Sequence, residues 1–302
     1  TLGNITTNGG DVQVIAGQWA ESGALVTLGT VTTLGGSVYL SGSDITATSI
    51  DTVGDYYAGN VSLTYRNVDV TVDSSEGLYV NDTPINLYGD GYEGGLTVNA
   101  AAGDLTLSGT TLAANHVRLS ASGDIAGGAT NIVAVQDVTA GAGGALALRD
   151  ITTTATEDDR FVTLTAGTTL LARNIVTQGG AVTATTDWDT ATLNNITTNG
   201  GDVQVTAGRW AESGAQAALG SVTTLGGSVV LSGSDITATS IDTVGDSAGN
   251  VSLTYRMADV MVDTWEGSLY INDTYINFYG EGYKGGLTIS TAGDLTLSGT
   301  TL

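Results

Sequence analysis

Pairs of apolar residues separated by one polar or small residue recur along the chain, mostly just after Gly-Gly, Ala-Gly or Gly-Asp. Alternation with a period of two turns one face of a β-strand inward and the other outward, so each pair predicts a strand. Successive pairs lie mostly about 20–26 residues apart, which is typical of a solenoid whose coils bury their apolar faces by stacking. The pairs are Val12/Val14, Val38/Leu40, Val61/Leu63, Leu96/Val98, Leu105/Leu107, Val117/Leu119, Leu146/Leu148, Val162/Leu164, Val182/Ala184, Val203/Val205, Val229/Leu231 and Val251/Leu253.

A near copy of residues 1–112 returns at residues 192–302. The segments ITTNGGDVQV, VTTLGGSV, LSGSDITATSIDTVGD, AGNVSLTYR and AGDLTLSGTTL recur without change. We therefore predict one continuous β-solenoid over residues 1–302, in which residues 113–191 form intervening coils between the two long copies. Each copy also contains a longer, tyrosine-rich segment, which predicts an aromatic-rich enlarged coil.

The composition favours an all-β chain. The 302 residues include 44 glycines and many threonines and valines, and no apolar stripe has the helical period. Glycine, asparagine and aspartate mark the turns, whereas the branched side chains of threonine and valine suit pleated strands.

The amino-acid sequence of the coils resembles the repeat region of filamentous haemagglutinin-type exoproteins, which leave the cell by two-partner secretion. Segments such as ITTNGGDVQV, GGSVYLSGSDITATSIDTVG and GDLTLSGTTLAANHVRLSASGDI carry this resemblance over essentially the whole chain. The resemblance implies a right-handed parallel β-helix that is secreted, extracellular or attached to the cell surface. It implies a structural or adhesive role, and the longer segment 56–93 departs from the family's usual coil.

The chain begins at Thr1 inside a coil and ends at Leu302, the counterpart of Leu112. In the first copy the sequence continues after Leu112 with further coils. We therefore expect the chain to be a fragment of a longer protein that repeats this block.

Charge and cysteine content limit the classes of binding partner that we expect. Eight Lys+Arg against 31 Asp+Glu give a net charge of −23, which repels nucleic-acid backbones and anionic membranes. The chain has no cysteine and no apolar run long enough to span a bilayer, so we expect neither disulfides nor membrane insertion. The expected partners are other copies in fibres or lateral bundles, glycans, and receptors on host or other cell surfaces.

Aromatic residues supply the main candidate contact surface, because tyrosine combines a flat apolar face with a hydroxyl. Three interpretations stay open: packing within the enlarged coil, lateral contact between rods, and glycan binding. The candidate residues are Tyr65, Tyr79, Tyr88, Tyr92, Tyr255, Trp265, Tyr270, Tyr275, Tyr279 and Tyr283.

The motif GQWAESGA returns as GRWAESGA and contains Trp19 and Trp210. We expect each tryptophan to fold over the side of its coil as a loop plug. A serine nucleophile is not expected in this motif, because no histidine accompanies it and His116 is the only histidine.

An acidic, glycine-rich loop suggests calcium as an alternative to simple turn chemistry. The candidate ligands are Asp90, Glu93 and Glu281, but the position of Glu93 becomes Lys284 in the second copy. Turn chemistry explains the loop better, and we expect no other cofactor.

The sequence therefore predicts an extracellular rod that acts through many weak, repeated contacts. A stalk with its adhesive tip elsewhere is the first alternative. The threonine-rich segments also suggest ice binding, against which we weigh the variable length of the coils. A polysaccharide-processing enzyme is the contrasting class, but the acids are scattered and we expect no catalysis.

Overall fold

A computed structural model describes most of the chain. The described residues are 1–17, 24–42, 44–52, 54, 59–65, 70–73, 78–80, 83–86, 95–101, 103–108, 111–156, 160–211, 214–246, 248–256, 260–265, 268–271, 274–277, 286–291 and 295–297.

The chain divides into two compact units, Thr1–Ile151 and Thr152–Leu302. The strands of the first unit are β1 (Ile5–Thr6), β2 (Val12–Ile15), β3 (Leu25–Thr32), β4 (Val38–Gly42), β5 (Asp44–Asp51), β6 (Val61–Tyr65), β7 (Val70–Asp73), β8 (Leu78–Val80), β9 (Thr83–Asn86), β10 (Leu96–Ala100), β11 (Leu105–Ser108), β12 (Thr111–Ala114), β13 (Val117–Ala121), β14 (Ile125–Ala134), β15 (Val138–Ala142) and β16 (Leu146–Thr153), which crosses the boundary.

The second unit repeats the same kind of element. Its strands are β17 (Phe161–Ala166), β18 (Leu170–Thr177), β19 (Ala181–Thr186), β20 (Ala191–Thr198), β21 (Val203–Thr206), β22 (Gln216–Thr223), β23 (Val229–Gly233), β24 (Asp235–Asp242), β25 (Val251–Tyr255), β26 (Val260–Trp265), β27 (Ser268–Ile271), β28 (Thr274–Asn277), β29 (Leu287–Thr291) and β30 (Leu295–Leu297).

The strands form a parallel β-solenoid, which confirms the predicted all-β fold. Each regular coil contributes one strand to a short sheet and one longer strand to a long sheet. The short sheet runs β2-β4-β6-β10-β13-β15 in the first unit and β17-β19-β21-β23-β25-β29 in the second. Within the described ranges there is no helix with the length and apolar character needed to cross a membrane.

The predicted apolar pairs form the interior of the short sheet. Val203 and Val205 of β21, for example, stack on Val229 and Leu231 of β23 and are fully buried. Two pairs, Leu105/Leu107 and Leu146/Leu148, lie in the long sheet instead.

In the strands of the long sheet, the alternation of buried and exposed residues shifts by one residue in the middle of the strand. In β20 the buried residues Ala191 and Leu193 are followed by two outward residues, and burial resumes at Ile196 and Thr198. The strand therefore bends at residues 194–195, and the amide of Asn195 donates to the side-chain oxygen of Asn174 in the coil below (2.8 Å). Because the phase breaks, a search for strict alternation does not find most of these strands.

The enlarged coil of each copy is a three-stranded antiparallel meander inserted into the long sheet. In the first unit β9 pairs with β5 of the preceding coil, β8 pairs with β9 and β7, and β7 pairs with β11 of the next coil. In the second unit the same order joins β24, β28, β27, β26 and β30. The extra length is thus absorbed by the long sheet, while the short sheet keeps one strand per coil.

Candidate functional site

One corner of the coil joins the end of a long-sheet strand to the next short-sheet strand through a buried threonine and a glycine. The hydroxyl of Thr224, which is fully buried, donates to the carbonyl of Gly227. A methyl group on Gly227 would lie 2.2 Å from the carbonyl oxygen of Gly201 in the coil below, so the coils meet closely here. The same corner recurs at Thr33–Gly36, Thr177–Gly180 and Thr198–Gly201. These hydroxyls are engaged in the fold, which makes this corner structural.

In each copy, polar residues that precede successive short-sheet strands form a ladder in which one side chain caps the next coil. Asp202 accepts from the backbone N–H of Ser228 (2.7 Å), Ser228 accepts from that of Asn250 (3.2 Å), and Asn250 accepts from that of Gly286 (2.8 Å). The first copy has the same ladder at Asp11, Ser37, Asn60 and Gly95.

His116 and Asp137 occupy the next two positions after Gly95 in this ladder. The imidazole Nδ1 of His116 is hydrogen-bonded to Asp137, whose side chain is 5% exposed, and Arg118 Nη2 lies 3.5 Å from its other oxygen. Sequence reasoning missed Asp137, although it directly precedes a Val-Thr-Ala strand as His116 precedes Val-Arg-Leu. Among the described residues the His116 side chain bonds Asp137 alone, so the pair has the geometry of a cap between coils.

The outer face of the short sheet in the second unit carries two columns made mostly of hydroxyl side chains, here called the hydroxyl face, with Gln204 and Val230 as the exceptions. Parallel pairing in constant register aligns Thr163, Thr183, Gln204, Val230, Ser252 and Thr288 in one column. It aligns Thr165, Thr185, Thr206, Ser232, Thr254 and Ser290 in the other. Neighbouring side chains lie ~4.8 Å apart across strands and ~6.6–6.8 Å apart along them.

The register of the hydroxyl face corrects one step of the sequence reasoning. Variable coil length argued against a regular threonine array, and β25 and β29 are indeed 36 residues apart. Because the corners and the meander absorb the difference, the hydroxyl columns stay in register. The first unit is less regular, since Ile15 and Gly141 interrupt the corresponding column.

Two tryptophans on neighbouring coils stand at the corner that follows the short sheet. Trp188 comes after β19 and Trp210 after β21, and their side chains are 60% and 59% exposed. The guanidinium of Arg209 lies 5.0 Å from the centroid of the Trp210 ring and donates to Asp187 Oδ1 (2.8 Å). We call Asp187, Trp188, Arg209 and Trp210 the tryptophan corner.

The tryptophan corner corrects the predicted loop plug at Trp210, because a plug would bury its ring against the coil. Backbone bonds in the turn hold the side chain outward instead. Trp19, its counterpart, lies outside the described residues. Trp188 had not been selected from the sequence, since it stands alone between two aspartates with no repeated motif around it.

The predicted tyrosine surface is only partly described. Tyr255 is 1% exposed and its hydroxyl donates to the carbonyl of Ile236 (3.4 Å), so it is a core residue and not a contact residue. Burial, and to a smaller extent the carboxylate of Asp235, raises the pKa of Tyr255 far above its ordinary value. The strands place the backbones of Tyr65, Tyr79, Trp265, Tyr270 and Tyr275, whose side chains lie outside the described part. Tyr88, Tyr92, Tyr279 and Tyr283 lie outside the described residues.

The calcium candidates Asp90, Glu93 and Glu281 also lie outside the described residues. In the part of the chain that is described, no three histidine or acidic side chains come together as metal ligands.

No protein-family model, curated protein or solved structure matches this chain. The candidate surfaces therefore rest on the geometry itself: a hydroxyl face in constant register and a tryptophan corner, both in the second unit.

Proposed function

We propose that the chain is a segment of an extracellular structural and adhesive rod, of the kind formed by filamentous haemagglutinin-type proteins. The observation that carries the proposal is the stacking of coils in constant register within each unit. Repetition of this kind presents the same side chains again and again along a face, so many weak contacts add up to avidity. The resemblance of the coil sequences to filamentous haemagglutinin-type repeats supports the proposal, and the acidic net charge supports a soluble rod.

Electron microscopy of the purified chain and of native material tests the rod. We expect narrow, elongated particles from the chain and uniform fibres from native material. Compact particles would refute the rod, whereas fibres ending in a distinct knob would favour a stalk that carries its adhesive tip elsewhere.

Surface labelling tests the extracellular role separately. Antibodies raised against the purified chain should bind intact cells that express the parent protein, and external protease should remove the signal. A signal that appears only after the cells are broken would refute an extracellular role.

The proposal assigns no catalysis to the chain. We expect pectin, alginate and similar acidic glycans to keep their chain length after incubation with the purified protein. Shortened products would favour the polysaccharide-processing class instead.

The hydroxyl face supports a second candidate function, ice binding. Flat rows of hydroxyl and methyl groups at a fixed spacing can hold water in an ordered layer that joins an ice surface. Thermal hysteresis of the purified chain measures this activity, and Thr185→Lys should abolish it, because the lysine side chain would stand out from the face. Thr192→Lys, on the long sheet, is the matched control, and an equal effect of both variants or no hysteresis at all would reject the idea.

A further inference from the structure

Hydrogen bonds within the protein hold the tryptophan corner in place without a ligand. The backbone N–H of Trp210 donates to the carbonyl of Asp187 (2.8 Å), and that of Arg209 donates to the carbonyl of Thr186 (2.9 Å). The Thr186 hydroxyl donates to the carbonyl of Asp189 and accepts from the N–H of Gly208 (2.8 Å). Both turns are therefore tied to each other, which lowers the entropy that a ligand must remove on binding.

A third coil completes the corner. The guanidinium of Arg256, which follows β25, donates to the carbonyls of Arg209 (3.3 Å) and Ala207. This contact holds the turn that carries Trp210 from the side opposite to Trp188. The coils of β19, β21 and β25 thus contribute to this corner, which carries two exposed indole side chains and charged groups of both signs.

The chemistry of this surface fits a sugar. Indole rings offer flat apolar faces that the C–H face of a pyranose can cover, while its hydroxyls can bond the guanidinium of Arg209 and the carboxylate of Asp187. We propose that the tryptophan corner is a binding site for neutral oligosaccharides, which names a ligand for the adhesive rod and rests on that proposed function. Because the two tryptophans lie on adjacent coils, whose backbones are spaced by ~4.8 Å, a ligand must extend along the stack to contact both.

The charges favour a neutral ligand over an acidic one. Arg209 is paired with Asp187 at 2.8 Å, so its charge is largely compensated within the corner. The chain as a whole carries a net charge of −23, which repels polyanionic glycans over distances of the order of the ~8–10 Å Debye length.

The size of the corner favours a small ligand over a protein partner. A stable protein interface takes ~20–30 residues on each side. The corner offers two large apolar side chains, and the adjoining short-sheet face carries mostly hydroxyl groups, with Val230 as an exposed apolar side chain.

Titration with a neutral hexasaccharide, cellohexaose or maltohexaose, tests the proposal on the full chain. Binding is followed by tryptophan fluorescence and by calorimetry, with hexagalacturonate as the acidic counterpart. We expect saturable binding of at least one neutral ligand and none of the acidic one. Trp188→Ala and Trp210→Ala should each weaken binding about tenfold, as the loss of a central aromatic contact does elsewhere.

Matched variants separate the corner from the fold. Phe161→Ala removes an exposed aromatic ring outside the corner and should leave binding unchanged. Arg209→Gln, which installs the residue found at this place in GQWAESGA, should weaken binding without changing the circular dichroism spectrum. Sedimentation of wild type and Trp188→Ala shows whether the corner joins two copies.

Three results would overturn the proposal: no saturable binding of either neutral hexasaccharide by a folded chain, equal binding by wild type and both tryptophan variants, or self-association that Trp188→Ala abolishes. The last result would assign the corner to contact between chains. None of these results bears on whether the particles are rods on the cell surface, which microscopy and labelling decide independently.

Discussion

Replacing Gly227 by alanine tests the close stacking of the coils. Gly227 is buried at the threonine–glycine corner, and a methyl group there would lie 2.2 Å from the carbonyl oxygen of Gly201. This is 1.2 Å less than the 3.4 Å at which ordinary contact begins (3.4 − 2.2 = 1.2). The obstacle is backbone, so no side chain can swing aside and the two coils must separate locally.

The expected loss of stability follows from the packing and the hydrogen bonds that the separation of the coils disturbs. Overpacking a tight site costs ~1–3 kcal/mol. The movement also strains the hydrogen bonds from Val203 N–H to the Ser228 carbonyl (2.8 Å) and from Ser228 N–H to Asp202 (2.7 Å). Each such bond contributes ~0.5–1.5 kcal/mol, so we expect Gly227→Ala to lower the free energy of unfolding by ~2–6 kcal/mol.

Urea unfolding followed by circular dichroism measures this change, and hydrogen exchange of the amides in β21 and β23 locates it. Gly36→Ala is a replicate in the other copy, because its methyl group would lie 2.3 Å from the Gly10 carbonyl oxygen. Gly128→Ala is the control, since Gly128 is exposed and a methyl group there meets nothing within 4 Å. If Gly227→Ala and Gly128→Ala were equally stable, the stacking described at this corner would be wrong.

Three further changes probe other parts of the coil. Thr224→Val should lower the free energy of unfolding by ~1–3 kcal/mol because the buried Gly227 carbonyl loses its donor. Thr224→Ser, which keeps the hydroxyl, should cost less, and equal effects of the two variants would contradict this hydrogen bond. Tyr255→Phe should reduce the loss of stability at alkaline pH. Folding raises the pKa of Tyr255, so wild type keeps its full stability below the unfolded-state pKa of ~10 and loses up to ~1.4 kcal/mol per pH unit above it. Urea midpoints that change in parallel in the two proteins from pH 9 to 11 would refute the burial of this hydroxyl. Asp202→Ala should lower the free energy of unfolding by ~1 kcal/mol, because the N–H of Ser228 loses its acceptor. Asp202→Asn should retain most of the stability, because an amide oxygen can still accept this hydrogen bond. Of the two variants, only Asp202→Asn should keep the slow hydrogen exchange of the Ser228 amide.

The interior of the short sheet could be predicted from the sequence because it depends on local alternation. Val203 and Val205 read as a strand without knowledge of what lies above or below them, and the structure buries both. The bent long-sheet strands were harder, since the change of phase at residues 194–195 removes the period of two. Tyr255 was misjudged for a related reason: its aromatic neighbourhood suggested a surface, but it continues the inward phase of Val251 and Leu253.

What the chain determines locally is thus the coil: inward valines and leucines, the buried threonine, the close glycine and the polar cap, each placed by a few neighbouring residues. The tertiary structure alone decides which coils lie side by side. Thr254 pairs with Ser290 across 36 residues, and Asp187 accepts from the backbone N–H of Trp210, because corners and meanders absorb differences in length while backbone pairing keeps the register. The surfaces that could contact a partner arise from that pairing, since each is assembled from several coils and belongs to none of them alone.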